Sequence, residues 1–309
     1  MKFIDVSNWE TAEFSTKGTR DKGTVVCPTD NCYYFIKFPM QRPNRDYSME
    51  TWSEIIVYEV GKLLGFDVLE YNFALRNGKA GCISKNMVNP ANEALVEGDS
   101  ILVGYDSSYS PADKSMYDRY TFNFVMSALE YCGLKEYQAD FIKMLVLDAV
   151  FGNSDRHQSN WGFIEHFILD GRRVKVEKHF SPIYDSGCCL GREFSEEQIL
   201  TYLSDPNKFA KYIRKGVAEL RTDDEPDKKK SHYDLLSFIL KQPQWTRYLK
   251  KVVESVFCNY DNQKVVDIVF FIDNPLPADL KQQFGISDSR KSFIAKVIDA
   301  RINRLKELL

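Results

Sequence analysis

The chain has 309 residues, enough for one large domain or two lobes. Its composition, 44% hydrophobic and 28% charged, is that of an ordinary globular protein. Lys plus Arg number 41 against 44 Asp plus Glu, a net charge of −3, so no basic excess argues for direct DNA binding or for a membrane surface.

Residues 1–88 read as a small β-rich lobe. Val25-Val26 and Cys32 to Phe38 are rich in β-formers and flank the turn signal Pro28-Thr29-Asp30-Asn31. Tyr71 to Leu75 and Gly81 to Met87 read as two further strands joined by Asn77-Gly78, a strong hairpin turn. One helix is predicted between them, from about Ser48 to Leu64. Trp52, Ile55, Ile56, Val60, Leu63 and Leu64 follow helical spacing, and Gly65 is a good stop.

Residues 89–309 read as a larger, mostly helical lobe. Tyr117 to Cys132 and Lys135 to Phe151 are predicted helices. Phe163 to Leu169 and Val174 to His179 read as a hairpin around Asp170-Gly171. Helices are then predicted over Glu196 to Leu203, Asn207 to Leu220, His232 to Leu240, Trp245 to Asn259, Gln263 to Phe271 and Ser289 to Leu309. The expected class is α+β, with the two-lobed plan of a protein kinase.

No apolar stretch is long enough to span a bilayer, and the first ten residues, MKFIDVSNWE, lack the apolar core of a signal peptide. The seven cysteines form no C-x-x-C pair, which argues against a zinc site or a disulfide framework. A cytoplasmic setting is expected; specialised secretion as an effector would leave no such signal and is compatible with these features.

The chemistry-bearing residues concentrate in NSDRHQSNWGF, Asn153 to Phe163. Asp155 and Asn160 stand five apart, and a D-x-G turn follows at Asp185-Ser186-Gly187. Phosphoryl transfer needs a carboxylate to position the attacking hydroxyl and oxygen ligands to hold Mg²⁺ against the phosphates, and this spacing suits both tasks. The usual His-Arg before the base is replaced by Asn153-Ser154. Lys37 lies in a strand of Tyr, Phe and Ile, where a lysine needs a partner if it is buried. Glu54 in the following helix is the expected partner and Glu59 the rival; the alternative is that Lys37 points to solvent. His157 and Asp148 are expected to brace the loop, with a surface or capping Asp148 as the alternative. Cys188 and Cys189 are read as buried packing residues, since no His is placed to activate them. Ser15 to Gly23 offers glycine, hydroxyls and bases that could cradle phosphates, but also reads as a plain polar turn.

NSDRHQSNWGF with SPIYDSGCCL, YFIKFP around Lys37 and WSEIIVYEVGKLLGF around Glu54 resembles the HipA-like serine/threonine kinases of bacteria, in their compact branch. The resemblance implies ATP and Mg²⁺, with Asp155 as base, Asn160 and Asp185 as metal ligands, and Lys37 on the phosphates, backed by Glu54. It implies a glycine loop with Gly followed four residues later by Lys, here Gly18 and Lys22. It also implies autophosphorylation of a loop serine, for which Ser15 and Thr16 are candidates. Ser84 to Met87, with Lys85 and Met87, is the candidate backbone for adenine. A protein substrate with a Ser or Thr acceptor is expected. Full-length members carry an extra amino-terminal subdomain, whereas this chain starts almost at the glycine loop. The resemblance implies an antitoxin as partner, but part of the interface familiar from the family is absent here; the small subdomain is either a separate partner protein or missing altogether. The alternative readings are a small-molecule or lipid phosphotransferase, and a nucleotide-binding regulator without turnover.

Overall fold

The structure, a computed structural model, describes residues 1–12, 22–43 and 45–309. Ser15, Thr16 and Gly18 lie outside the described residues. The chain divides into two compact units, each assembled from separate stretches. The first gathers Met1–Asn86, Ser186–Arg214 and Val256–Ile302; the second gathers Met87–Asp185, Lys215–Ser255 and Asn303–Leu309.

The first unit is built on a sheet of six strands: β1 (Phe3–Asp5), β2 (Glu10–Thr11), β3 (Lys22–Val26), β4 (Tyr33–Lys37), β7 (Asn72–Arg76) and β8 (Lys79–Lys85). Their order is β1-β7-β8-β4-β3-β2. All neighbours are antiparallel except β1 and β7, where Phe3 stands opposite Phe73. Alternation of the strands sends Val25, Ile36, Ala74 and Ile83 into one buried cluster, which Val6, just after β1, joins. The Asn77-Gly78 turn behaves as its sequence requires, with positive φ at both residues (50° and 78°). A two-strand ribbon, β5 (Gln41–Arg42) and β6 (Arg45–Asp46), follows β4.

Helix α1 (Met49–Leu63) carries most of its residues buried. Trp52 packs on Phe73 at 5.1 Å between ring centroids and donates from Nε1 to the Phe284 carbonyl at 2.9 Å. The helix stops in a Schellman arrangement: Phe66 N–H bonds the Gly61 carbonyl at 3.0 Å, Gly65 N–H bonds Lys62 at 3.1 Å, and Gly65 has φ 86°. The same unit holds α5 (Glu196–Ser204), α6 (Pro206–Lys215, through Arg214), α9 (Asn262–Phe271), α10 (Ala278–Phe284) and most of α11 (Asp288–Leu305).

The second unit has a three-stranded antiparallel sheet in the order β11-β10-β9, from β9 (Glu93–Glu97), β10 (Gly162–Asp170) and β11 (Arg173–Phe180). Around it lie α2 (Gly98–Tyr105), α3 (Phe122–Tyr131), α4 (Gln138–Phe151), α7 (His232–Leu240) and the first turns of α8 (Pro243–Asn259). Helix α4 is apolar nearly all round and buried nearly all round, as an internal helix must be.

Three predicted helices differ in extent. The one over Tyr117 to Cys132 breaks into a 3₁₀ turn (Lys114–Arg119) and α3, because the Thr121 hydroxyl caps α3 at the Phe124 N–H and is itself held by Asp223 at 2.5 Å. The one over Asn207 to Leu220 ends at Lys215, since Val217 leaves it to bridge Ser231. The last regular turn of α11 closes at Leu305, and a 3₁₀ turn (Lys306–Leu308) follows. Strands β1 and β9 and helices α2 and α10 have no counterpart in the sequence reading. No helix of the described residues is long and apolar enough to cross a membrane.

Candidate active site

In the first unit, β4 presents Lys37 to α1. Its Nζ lies 2.5 Å from Glu54 Oε1, with Glu54 1% exposed. The other carboxylate oxygen of Glu54 accepts the backbone N–H of Ser186 at 2.8 Å. One buried glutamate therefore holds both the Lys37 ammonium and the Ser186 backbone. Glu59 is engaged elsewhere, with the amino-terminal ammonium of Met1. Gly187 is shaped by the same contact, because a Cβ there would stand 3.1 Å from Glu54 Oε1. Lys22 on β3 stands directly across the ladder from Lys37. Like charges in that relation cost stability unless an anion joins them.

In the second unit, α4 ends at Gly152, whose left-handed backbone (φ 73°) turns the chain into the loop. Asp148, on the last turn, accepts from Asn153 Nδ2 at 3.0 Å and from Arg156 Nε and Nη2 at 3.0 and 2.9 Å. Arg156 is 2% exposed and is the hub. Its Nη1 donates to the Asn160 carbonyl at 2.7 Å and to the Tyr184 carbonyl at 2.5 Å. A single nitrogen thus ties the end of the loop to the residue before Asp185. Asn160 Nδ2 donates to the Asp155 carbonyl at 2.7 Å, which fixes the amide and leaves Oδ1 as its acceptor face. Asp155 N–H is received by Asn153 Oδ1 at 3.3 Å, and its side chain is half-buried. His157 Nδ1 accepts the Ser159 N–H at 3.2 Å. Asp185 has φ 55°, a conformation that costs a non-glycine residue energy and that clusters at functional turns.

Behind the loop, Trp161 donates to the Tyr120 hydroxyl at 2.9 Å, and that hydroxyl donates to the Arg156 carbonyl at 3.2 Å. The Trp161 ring packs between Phe141, at 4.9 Å, and Phe180, at 6.4 Å. Gly98 admits the ring, since a Cβ there would fall 2.3 Å from it. Tyr184 donates to the Ser159 carbonyl at 3.1 Å. Burial pushes the Tyr120 and Tyr184 phenols up, so both stay neutral donors.

Of the other sequence candidates, Lys85 ends β8 in an exposed pair with Asp30 at 3.1 Å. Met87 follows it half-buried, after Asn86 N–H bonds the Tyr33 carbonyl at 2.8 Å. Cys188 and Cys189 are buried. Sequence reasoning missed Arg156, Tyr120 and Tyr184. For Arg156 a signal existed: a charged residue between two loop candidates, eight after an aspartate on the preceding helix.

These features define a protein-kinase-like α+β fold, with a lysine–glutamate pair on a strand and helix and an Asp/Asn loop before a D-x-G turn. The chain is similar to the serine/threonine-protein kinase CtkA of Helicobacter pylori strain J99, with 26% identity over 288 residues, covering 90% of this chain and 81% of that protein. The crystal structure of the H. pylori proinflammatory kinase CtkA has the same fold, with TM-score 0.78, 22% identity, and coverage of 99% of this chain and 96% of that one. A chain from the complex of HipA, HipB and operator DNA of Shewanella oneidensis MR-1 matches at TM-score 0.56 and 13% identity, over 94% of this chain and 65% of that one. No family model matches the chain. The chain is thus similar to a serine/threonine-protein kinase over most of its length and shares that kinase's fold.

Proposed function

We propose that the chain is an ATP- and Mg²⁺-dependent protein serine/threonine kinase. Residues 1–88 carry the phosphate-holding elements and residues 89–309 the catalytic loop. The observation that carries this reading is the Arg156 network, which locks the Asp155–Asn160 loop to the Tyr184–Asp185 segment. Asp155 orients the Ser or Thr hydroxyl of a protein substrate and accepts its proton as that oxygen attacks the γ-phosphorus and ADP leaves. Lys37, oriented by Glu54, holds the nucleotide phosphates, with Lys22 across the ladder and Gly18 in the preceding loop. The backbone near Lys85 and Met87 receives adenine.

The donor set fits Mg²⁺. Among the described residues no cluster of three or more His, Cys, Asp or Glu could hold a metal ion. Mg²⁺ is commonly held by one or two protein oxygens, with waters and substrate phosphates completing its shell. Asn160 Oδ1 and the Asp185 carboxylate are the two protein oxygens here. When bound, the ion neutralises the phosphates. Autophosphorylation falls on Ser15 or Thr16, where a phosphate would set roughly two negative charges beside a site made for ATP.

The test is incubation with γ-labelled ATP and Mg²⁺, wild type beside Asp155→Gln, with phosphosite mapping and a parallel ATP-binding titration. Label on the wild type alone, with ATP still bound by the variant, is expected. Equal labelling of both proteins removes Asp155 as base. ATP binding without label in either removes the protein-kinase reading.

A further inference from the structure

The first unit holds a cavity of about 1370 Å³ that shares none of the catalytic candidates. Its wall includes the β5–β6 ribbon and the first turn of α1. Three features there are unusual together. Arg42 and Arg45 are direct partners across the ribbon, an opposition of like charges that a ladder ordinarily avoids. Both are exposed, and among the described residues no carboxylate forms an ion pair with either. Helix α1, fifteen residues long, opens on Ser48 with no side-chain cap; the Glu50 N–H bonds the Tyr47 carbonyl at 2.9 Å, and the positive end of the helix lies at the part of the wall lined by Ser48, Met49 and Thr51. Thr51, 3% exposed and lining the cavity, has an Oγ with no hydrogen-bond partner.

The acidic residues of the wall are mostly committed. Glu196 holds Arg290 at 2.8 Å, and Asp46 accepts the Ser48 N–H at 2.7 Å. Glu193 is the remaining carboxylate, and Arg45 feels its field. Positive potential prevails around Tyr47: the hydrogen bond from Arg45, joined by the charges of Arg42 and Arg192, holds its phenol below the usual value. Phe38, Trp52, Phe73 and Phe284 give the partly polar wall an apolar portion.

We propose that this cavity is a docking site for a phosphorylated serine or threonine in a separate polypeptide. The phosphate is taken by the Arg42–Arg45 pair and by the uncapped turn of α1 with Thr51. The neighbouring residues of the peptide lie on the apolar portion of the wall. A phosphomonoester supplies nearly two negative charges and three acceptor oxygens, which matches two guanidinium forks, a helix N-terminus and a hydroxyl donor. A lone carboxylate matches only part of that set. The cavity also exceeds what a single phosphate needs, which is why a peptide is its occupant. The proposal does not depend on the kinase reading, because binding is measurable without nucleotide.

The probe is a fluorescein-labelled peptide, Ala-Phe-Gly-phosphoserine-Gly-Phe-Ala, titrated with the full chain by fluorescence anisotropy. Peptides with serine or glutamate in the central place serve as comparisons. The phosphopeptide is expected to bind about tenfold or more tightly than either, and the double variant Arg42→Gln/Arg45→Gln to lose about tenfold or more of that affinity. Thr51→Val, close in volume, is expected to weaken binding several-fold while Thr51→Ser retains it, with thermal melts confirming that each variant is folded. Saturating Mg·ATP is expected not to displace the peptide. Equal binding of the glutamate peptide, wild-type affinity in the double variant, displacement by ATP, or no binding at all would each overturn the proposal.

Discussion

Arg156 is charged, buried and donates from all three guanidinium nitrogens, to Asp148 on one side and to two backbone carbonyls on the other. Removing one member of such a pair strands the other charge in the interior, at a cost of about 3–5 kcal/mol. Arg156→Met is therefore expected to lower the unfolding free energy by about that amount, read from denaturant melts, and to abolish phosphate transfer. Asp148→Leu combined with Arg156→Met is expected to recover part of the stability and none of the activity. The double variant buries no lone charge, but its loop is no longer tied to Tyr184. Recovery of activity in the double variant would show that the network serves stability alone. The Glu54 carboxylate makes a parallel case. Glu54→Gln is expected to keep the fold and reduce transfer at least tenfold, because a neutral amide holds Lys37 less firmly than a charge-assisted bond does. Unchanged turnover would remove Glu54 from the site.

Helix α1 earns its position from how it ends. Gly65 takes φ 86°, and a Cβ there would stand 2.8 Å from Asn259 Nδ2, which donates to the Leu64 carbonyl at 3.1 Å. Gly65→Ala is expected to destabilise the protein by about 1–2 kcal/mol for the left-handed backbone, with crowding of Asn259 added to it. Gly104 in α2 is the matched control, with an ordinary backbone and nothing within 4 Å of an added Cβ. Gly104→Ala is expected to stabilise by about 0.5–1 kcal/mol. Opposite signs in two denaturation curves would verify both assignments, and the same sign would refute one of them. The α1 stop was legible in the sequence because helical spacing and a following glycine are local signals. So were the Asn77-Gly78 and Asp170-Gly171 turns. Strand β9 was not: Glu93–Glu97 is short and charged at both ends, and it is a strand because Glu97 finds Gly162 far along the chain. Strand β1 is three residues of a parallel pair, whose partner no turn residue announces.

At the scale of the chain, the spacing of Asp155, Asn160 and Asp185 could be read because it lies in contiguous runs of sequence. The lysine–glutamate pair could be read because a strand followed by a helix sets its geometry. What holds those parts comes from distant stretches. The first unit takes Ser186–Arg214 and Val256–Ile302 from late in the sequence. Trp52 bonds Phe284, Asn259 bonds the Leu64 carbonyl, Ser53 bonds the Cys189 carbonyl at 3.3 Å, and Glu50 pairs with Arg192. Each of these contacts satisfies a polar group that the isolated stretch would leave without its partner, and Phe73 would lose the Phe284 ring 6.2 Å from it. The early strands carry one small apolar cluster of their own, close to the size at which a core stops sustaining a fold unaided. A fragment of residues 1–88 is therefore expected to show no cooperative thermal transition, whereas the full chain melts cooperatively. Its amide protons are expected to exchange without protection in α1, because part of the buried face of that helix, including the Trp52 and Asn259 contacts, is covered by residues the fragment lacks. A cooperative melt of the fragment with protected amides in α1 would show that the late segments decorate this unit without being needed to form it.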